Sequence, residues 1–151
     1  MSTTTCKKRK PYKRGARNKT TKTSTLLKDY FNKNNIIFYQ RTAEQNIEVF
    51  LVPYDIQKQD IKLHIRIIVI DDINLCNMSF SYELNKNTDY SKELLDMNSK
   101  LVNGRLSVEK DSNQVTYATN FRLHSNSDVQ DIYNQHFESC VSTVSYTHLT
   151  L

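Results

Sequence analysis

The sequence predicts one α+β domain in which helices pack on a mostly antiparallel sheet. Six segments alternate apolar and polar residues, as strands with one buried face do, and three segments repeat apolar residues at helical spacing. The strands outnumber the helices, and most of them follow one another directly along the chain. The predicted order is therefore α-β-β-β-β-α-β-β-α, which is typical of an antiparallel sheet with helices on it. The length of 151 residues suits a single domain.

The first predicted element is a short amphipathic helix that ends at the polar residues 34–35. Ser24 or Thr25 is placed to cap its start, and apolar side chains recur one turn apart along it. These apolar residues are Leu26, Leu27, Tyr30 and Phe31. Four strands are predicted next, at 36–42, 47–54, 61–70 and 75–84.

The strand at 61–70 has the clearest alternation in the chain. Its apolar side chains face one side of the sheet, and the polar ones between them face the other. The first set is Ile61, Leu63, Ile65, Ile67 and Val69, and the second is Lys62, His64 and Arg66. This alternation predicts a sheet with one covered face and one wetter face.

A second helix is predicted after residue 89, with a buried stripe formed by Leu94, Met97 and Leu101. Asp89 or Thr88 can cap its start, and the Asn-Gly pair at 103–104 supplies the left-handed residue that favours a helix stop. Strands at 105–110 and 114–123 form a hairpin, and a final helix begins at 127–128. The apolar positions of the final helix are Val129, Ile132, Tyr133, Phe137, Cys140 and Val141.

The last eight residues, VSYTHLTL, add no apolar stripe that the final helix needs. The string resembles the translated sequencing adapter that ends many reading frames of metagenomic origin. We therefore expect 144–151 to be a non-native tail and the domain to span 23–143.

Charge is distributed very unevenly between the N-terminal segment and the domain. Residues 1–22 carry nine Lys and Arg and no acid, whereas the remainder carries 12 basic and 16 acidic residues, a balance of −4. The N-terminal segment has almost nothing apolar to bury, so we expect it to be a disordered basic arm. Its eight candidate contacts to nucleic acid or another anion are Lys7, Lys8, Arg9, Lys10, Lys13, Arg14, Arg17 and Lys19.

The basic arm has two interpretations. Clustered Lys and Arg neutralise phosphates without reading bases, and KKRK also matches a basic nuclear-localisation pattern. Alternatively, the arm is a solubilising tail or a translated extension without function. Because the domain itself is mildly acidic, the arm has to supply any affinity for phosphate.

Composition argues against several classes of protein. No apolar run is long enough to span a membrane, and no apolar stretch follows the N-terminal charges as in a secretory signal. Three well-separated cysteines without a paired spacing suggest reduced thiols and a cytoplasmic location. The domain has one glycine, Gly104, which argues against a P-loop, a dinucleotide-binding turn and a nucleophile elbow.

Two residue groups resemble parts of metal sites. His136 and Cys140 have the i, i+4 spacing of two zinc ligands, but the usual burial preferences favour a histidine at the edge of a packed helix above a buried cysteine. Asp71, Asp72 and Asn74 resemble half a calcium loop, but the glycine and the later Glu of that loop are missing, which favours a solvated turn. We predict no catalytic residue, no cofactor and no metal, and thus no enzyme.

Residues 25–143 resemble the YbjN family of small bacterial proteins. The resemblance lies in LLKDYFNKNNIIF and in ELLDMNSKLVNGRLSVEKDSNQVTYATNFRL, with the Met97-Asn98 pair and Gly104-Arg105-Leu106 entering a hairpin. It implies a fold like that of type III secretion chaperones and a non-enzymatic regulator of sensory transduction. It also implies a homodimer that holds a protein partner of unknown identity. The basic arm is not part of the family pattern.

Apolar residues on both sides of two strands give a candidate partner-binding face. This face consists of Phe50, Val52, Ile68 and Ile70, which lie opposite the neighbouring apolar sets of their strands. Two-sided apolarity indicates either helices on both faces of the sheet or an exposed patch that binds. The sequence thus predicts a chaperone-like protein-interaction module, and the alternative is a nonspecific nucleic-acid-associated protein that binds through its arm.

Overall fold

The computed structural model of the protein describes residues 21–56, 61–83, 89–109 and 114–150. Three helices and six strands follow one another in the predicted order, so the predicted α+β class is confirmed. The eight candidate contacts of the arm, Lys7 to Lys19, and the hairpin turn at 111–113 lie outside the described residues. The elements are α1 (Thr23–Lys33), β1 (Tyr39–Glu44), β2 (Ile47–Ile56), β3 (Ile61–Ile70), β4 (Leu75–Glu83), α2 (Ser91–Lys100), β5 (Arg105–Glu109), β6 (Gln114–Arg122) and α3 (Asn126–Thr150).

The six strands form one sheet in the order β1-β2-β3-β4-β6-β5, and each neighbouring pair is antiparallel. The first four strands are adjacent in sequence, as the short turns between them require. After α2 the order reverses, because β6 pairs with β4 and leaves β5 at the edge. The sheet therefore has two edge strands, β1 and β5.

The core lies between one face of the sheet and the helices α1 and α3. The register places Phe50 of β2 opposite Ile67 of β3, and both are fully buried. Phe31 of α1 packs its ring 5.9 Å from Phe50 and 5.2 Å from Tyr133 of α3, so one aromatic cluster joins the three elements. Burying each such side chain contributes about 1.5–3 kcal/mol.

The start of α1 differs from the prediction. Lys22 occupies the cap position and its side chain makes no capping bond, whereas Ser24 lies inside the first turn and is buried. The carboxylate of Asp71 accepts hydrogen bonds from the Ser24 amide at 2.8 Å and from the Ser24 hydroxyl at 2.7 Å. A side chain 47 residues away along the chain thus satisfies an unpaired amide of the helix start.

Gly104 does adopt the predicted left-handed conformation, with φ +78°, but it does not end α2. The helix ends at Lys100, and Gly104 directly precedes β5. A Cβ on Gly104 would lie 2.5 Å from the ring of Tyr117 and 2.6 Å from the carbonyl oxygen of Ala118. The residue therefore allows the chain to pass close to β6 as it enters the edge strand.

The edge strand β5 is held by a side chain of α2. The Asn98 amide donates to the Leu106 carbonyl oxygen at 3.0 Å, and its side-chain oxygen accepts from the Leu106 N–H at 2.8 Å. The Asn98 side chain thus makes the two hydrogen bonds that a residue of a neighbouring strand would make.

The final helix continues through the predicted tail to Thr150. Val144 and Thr147 are fully buried, and the Tyr82 hydroxyl donates a hydrogen bond to the Thr147 hydroxyl. The tail therefore adds to the packed face of α3, contrary to the pattern expected from the sequence. Thr147 is polar, so a search for apolar spacing passes over it. The non-native origin of 144–151 stays a prediction.

Candidate functional site

One face of the sheet is turned away from α1 and α3, and we call it the open face. Its side chains alternate with those of the core along every strand, and most of them are exposed. The strand register aligns one residue from each strand in a row across the middle of this face. That row is Tyr39, Leu51, Arg66, Ser79, Ala118 and Arg105.

The half of the open face formed by β1 to β3, which we call the apolar half, carries exposed apolar side chains beside the cations Arg41, Lys62 and Arg66. Tyr39 is 62% exposed and Leu51 37% exposed, and Ile37, just before β1, is 69% exposed. Ile68 and Ile70 of β3 lie beside them and are half-buried. Exposed apolar groups this close together are typical of a surface that binds another molecule.

The half formed by β4, β6 and β5 carries small polar side chains. The hydroxyls of Ser81 and Thr116 are 2.8 Å apart, and the Asn77 amide donates to the Asn120 side-chain oxygen at 2.8 Å. These side chains hydrogen-bond across neighbouring strands. The exposed large apolar side chains thus lie on the β1–β3 half of the open face, and the small hydrogen-bonding side chains lie on the other half.

The predicted partner-binding face is divided by the structure. Phe50 and Val52 are 0% and 3% exposed and pack in the core under the helices, whereas Ile68 and Ile70 lie on the open face. The reason is the register, which pairs Phe50 with the inward-facing Ile67. The structure therefore places Ile68 and Ile70 together on the open face and separates Phe50 and Val52 from them.

Five cations stand on the open face although the domain as a whole is mildly acidic. They are Arg41, Lys62, Arg66, Arg105 and Arg122. Within the described residues the ion pair that forms is Lys100 with Asp96 on α2, so none of these five cations is in an ion pair there. The carboxylates Asp55, Glu83 and Glu109 stand on the same face, and Asp55 is the register partner of Lys62, so the open face carries charges of both signs.

The strands β3 and β4 pair next to the turn that joins them, over 66–70 of β3 and 75–79 of β4. On its other side β3 pairs with β2 along its whole length, and β4 pairs with β6 along its whole length.

A hollow of about 350 Å³ lies on the open face between side chains of β3 and β4. Three basic side chains of β3 line one side of it, and the hydroxyl residues of β4 line the other. No carboxylate is among the described residues that line it. The lining residues are Leu51, Lys62, His64, Arg66, Ser79, Phe80, Ser81 and Gln114.

The structure gives His136 and Cys140 no metal-binding geometry. The His136 Nδ1 atom lies 3.0 Å from the Thr119 hydroxyl, and its ring stacks on Phe121 with centroids 4.7 Å apart. Cys140 is fully buried, and no three His, Cys, Asp or Glu residues of the described ranges are placed to hold a metal ion. Partial burial lowers the pKa of His136.

The buried cysteines are not activated as nucleophiles. Burial raises the pKa of Cys140 to about 12, and burial followed by the nearby Asp71 charge raises the pKa of Cys76 to about 12. A thiol with such a pKa is protonated at neutral pH and is a poor nucleophile and metal ligand. Asp71, which the sequence placed in a solvated turn, is committed to the start of α1.

Among the described residues, no helix combines the length and the apolarity needed to cross a bilayer. Comparison of the chain with family models, with curated proteins and with solved structures found no match. The class defined by the fold is an α+β protein whose six-stranded antiparallel sheet has one helix-covered face and one open face. The similarity to the YbjN family stays a prediction based on sequence motifs.

Proposed function

We propose that the protein is a non-enzymatic interaction module that binds a protein partner on the open face of its sheet. In this proposal it acts in the cytoplasm as a regulator or chaperone-like adaptor of the YbjN type. The observation that carries the proposal is the exposure of Tyr39 and Leu51, which are register partners on that face, together with the exposure of Ile37 just before β1. Burying such a patch against a partner removes apolar surface from water.

The composition of the open face also suits a protein interface. Interfaces commonly combine a central apolar cluster, rich in aromatic residues and Arg, with a polar rim. Here Tyr39 and Leu51 lie in one row with Arg66, and the small polar side chains of β4 and β6 border them. We further propose that the chain forms a homodimer, which size measurement over a range of concentrations tests directly.

The proposal is tested by capture of partners from the source cells with the tagged full-length chain. Replacing Tyr39→Asp and Leu51→Asp puts charge into the apolar half and is expected to abolish the captured partner. Leu95→Asp is the matched control, because Leu95 is an apolar residue of α2 with 74% exposure away from the open face. Equal capture by the wild type and the Tyr39→Asp/Leu51→Asp variant would contradict the proposal.

The second candidate is nonspecific association with nucleic acid through the arm. The five cations of the open face favour it, because Lys and Arg on the domain can add phosphate contacts to those of the arm. Binding to a random duplex is measured against salt for the full chain and for a variant whose arm cations are replaced by Ser. A steep salt dependence that the variant loses supports this function, and weak binding that is unchanged removes it.

A further inference from the structure

We propose that Asn103 is a site of covalent modification, at which the side-chain amide carbon is attacked by the Gly104 nitrogen, ammonia is lost and water is taken up. The products carry aspartate or isoaspartate in place of Asn103. The Tyr117 hydroxyl assists the reaction by its hydrogen bond to the Asn103 carbonyl oxygen. The reaction needs no binding partner, so it is independent of the proposed function.

The first support is the Asn-Gly pair itself. A side chain on the residue after an asparagine hinders the approach of that residue's nitrogen to the side-chain amide carbon, and Gly104 has no side chain. The asparagine side chain also has to turn freely to be attacked. Within the described residues the Asn103 side chain makes no hydrogen bond, whereas the Asn98 side chain is held by two hydrogen bonds to Leu106.

The second support is the position of the attacking nitrogen. Gly104 is exposed and directly precedes β5, so its N–H lies outside the strand pairing that begins with Arg105 and Ala118. The backbone hydrogen bonds made by the described turns and loops do not include this N–H. It therefore loses its proton to hydroxide without first breaking a hydrogen bond.

The third support is the Tyr117 hydroxyl. When the Gly104 nitrogen loses its proton, resonance within the peptide bond shares the negative charge with the Asn103 carbonyl oxygen. That oxygen already accepts a hydrogen bond from the Tyr117 hydroxyl at 2.8 Å. A donor that is in place where negative charge develops lowers the barrier, as an oxyanion hole does. Burial raises the pKa of Tyr117 to about 12, so the hydroxyl remains a donor at mildly alkaline pH.

Water and hydroxide are the only co-reactants that the chemistry needs. The Gly104 N–H gives its proton to hydroxide, and the nitrogen bonds to the side-chain amide carbon of Asn103. The bond from that carbon to its own nitrogen breaks, and this nitrogen takes a proton from water and leaves as ammonia. Water then opens the cyclic imide, at the side-chain carbon to give aspartate or at the backbone carbon to give isoaspartate. Nothing is oxidised or reduced.

The surroundings admit both co-reactants. Asn103 lines a hollow of about 430 Å³ between α3 and the segment that follows α2. Among the described residues that line this hollow, the charged ones are Lys100 and Glu138, which have opposite signs. Hydroxide therefore meets no excess of negative charge in the lining.

Either product changes the entry of the chain into β5. Both add a negative charge, and isoaspartate also lengthens the backbone between residues 103 and 104 by a methylene group. Gly104 already lies so close to β6 that a Cβ on it would be 2.6 Å from the Ala118 carbonyl oxygen. The longer backbone is therefore expected to shift β5, and amide hydrogen exchange at 105–109 should become faster in the modified protein.

The test incubates the full-length protein in mildly alkaline buffer and follows residue 103 by peptide mapping with mass spectrometry. An isoaspartate-specific methyltransferase distinguishes isoaspartate from aspartate. Both products are expected at Asn103 and neither at Asn98, the internal control whose side chain is held. The rate in the native protein should be at least that of a peptide of residues 101–106, which lacks the Tyr117 hydroxyl.

Tyr117→Phe tests the role of the hydroxyl and is expected to slow the reaction at Asn103 by at least about threefold. Loss of stability alone would loosen the chain and speed the reaction, so slowing is a result that a merely structural role does not produce. Asp71→Ala is the matched control, because it weakens the fold at α1, away from residue 103, and it should not slow the reaction.

Two results would overturn the proposal. Conversion in the peptide without isoaspartate at residue 103 of the native protein, or a native rate below that of the peptide, would show that the fold protects Asn103. A rate in Tyr117→Phe equal to or above that of the wild type would reject the assistance by the hydroxyl.

Discussion

Two buried tyrosines differ in whether their hydroxyl has a hydrogen-bond partner. The Tyr117 hydroxyl donates to the Asn103 carbonyl oxygen at 2.8 Å, whereas the Tyr133 hydroxyl is buried and has no hydrogen-bond partner among the described residues. Burial raises the pKa of Tyr117 to about 12 and raises that of Tyr133 as well. Both hydroxyls are therefore neutral over the physiological range, and they differ in hydrogen bonding.

Removal of the two hydroxyls is expected to have different effects on the free energy of unfolding. Tyr133→Phe removes a buried polar atom without a partner and should leave the free energy of unfolding unchanged or raise it by up to about 1 kcal/mol. Tyr117→Phe removes a hydrogen bond and should lower it by about 1 kcal/mol. Urea denaturation of both variants provides the measurement. A loss of stability in Tyr133→Phe equal to that in Tyr117→Phe would show that the Tyr133 hydroxyl has a partner.

His136 makes the stability of the fold depend on pH. Its pKa is lowered in the folded state from the ordinary value of 6.5, because burial disfavours the charged ring. Above 6.5 the ring is neutral in both states, and as the pH falls below this value the unfolded chain binds a proton that the folded chain resists. Stability should therefore fall on acidification from about pH 8 to about pH 5.5.

The variant His136→Gln is expected to show a smaller decrease in stability over the same pH range. Denaturation of the variant and the wild type at both pH values gives the comparison. His64→Gln is the control, because His64 is exposed on the open face. An identical decrease in the wild type and His136→Gln would show that other groups cause it.

At the scale of elements, the helix α1 and the chain entry into β5 depend on contacts from elsewhere. Ser24 at the start of α1 is bonded by Asp71, which follows β3, and Gly104 passes against Tyr117 of β6. Both contacts join segments that are separated along the chain. The stability of each element therefore depends on the assembled sheet.

Asp71→Ala is expected to lower the free energy of unfolding by about 1–2 kcal/mol, because the Ser24 amide loses its acceptor. Asp72→Ala should change it by less than about 0.5 kcal/mol, since Asp72 is exposed in the same turn. Thermal or urea unfolding of the two variants measures the difference in stability. Equal effects of the two substitutions would mean that Asp71 does not cap α1.

Gly104→Ala is expected to destabilise the protein by about 2–4 kcal/mol, through the strained φ and the contact of the new methyl group with Tyr117. The exposed Ser107 of the same strand provides the control, and Ser107→Ala should stay within about 0.5 kcal/mol of the wild type. A mild effect of Gly104→Ala in urea denaturation would require a different path of the chain into β5.

The boundaries of β3 and the order of all elements could be read from the sequence, because alternation and helical spacing are local patterns. The placement of Phe50 could not, since β2 is apolar on both sides and its covered face is decided by pairing with β3. The cap from Asp71 also depends on a distant segment. The basic residues Lys62 and Arg66 were visible in sequence, but the hollow that they line together with residues of β4 was not.

At the scale of the whole molecule, the core encloses both cysteines of the domain. Cys76 and Cys140 come from β4 and α3, and both are 0% exposed. A reagent can reach them only when the sheet and the helix separate. Their reactivity thus reports on opening of the whole fold.

In a Cys6→Ser variant, both thiols should be protected from a disulfide reagent under native conditions and should react fully in denaturant. The expected rate is limited by unfolding, because the pKa values of about 12 leave little thiolate and burial blocks access. Addition of urea should raise the rate as it raises the unfolded fraction. Labelling of both thiols within seconds in buffer would contradict this packing.

The contact of Asn98 with Leu106 has a consequence for how copies of the chain can join. A sheet with two unprotected edge strands can add further chains at both edges and grow into a fibre. Here a side chain of the same molecule occupies the outward-facing N–H and C=O of Leu106 on β5, so among the described edge strands β1 is the more open to strand-to-strand joining. Two copies joined through β1 would present the partly blocked β5 at each end, which disfavours growth beyond the pair.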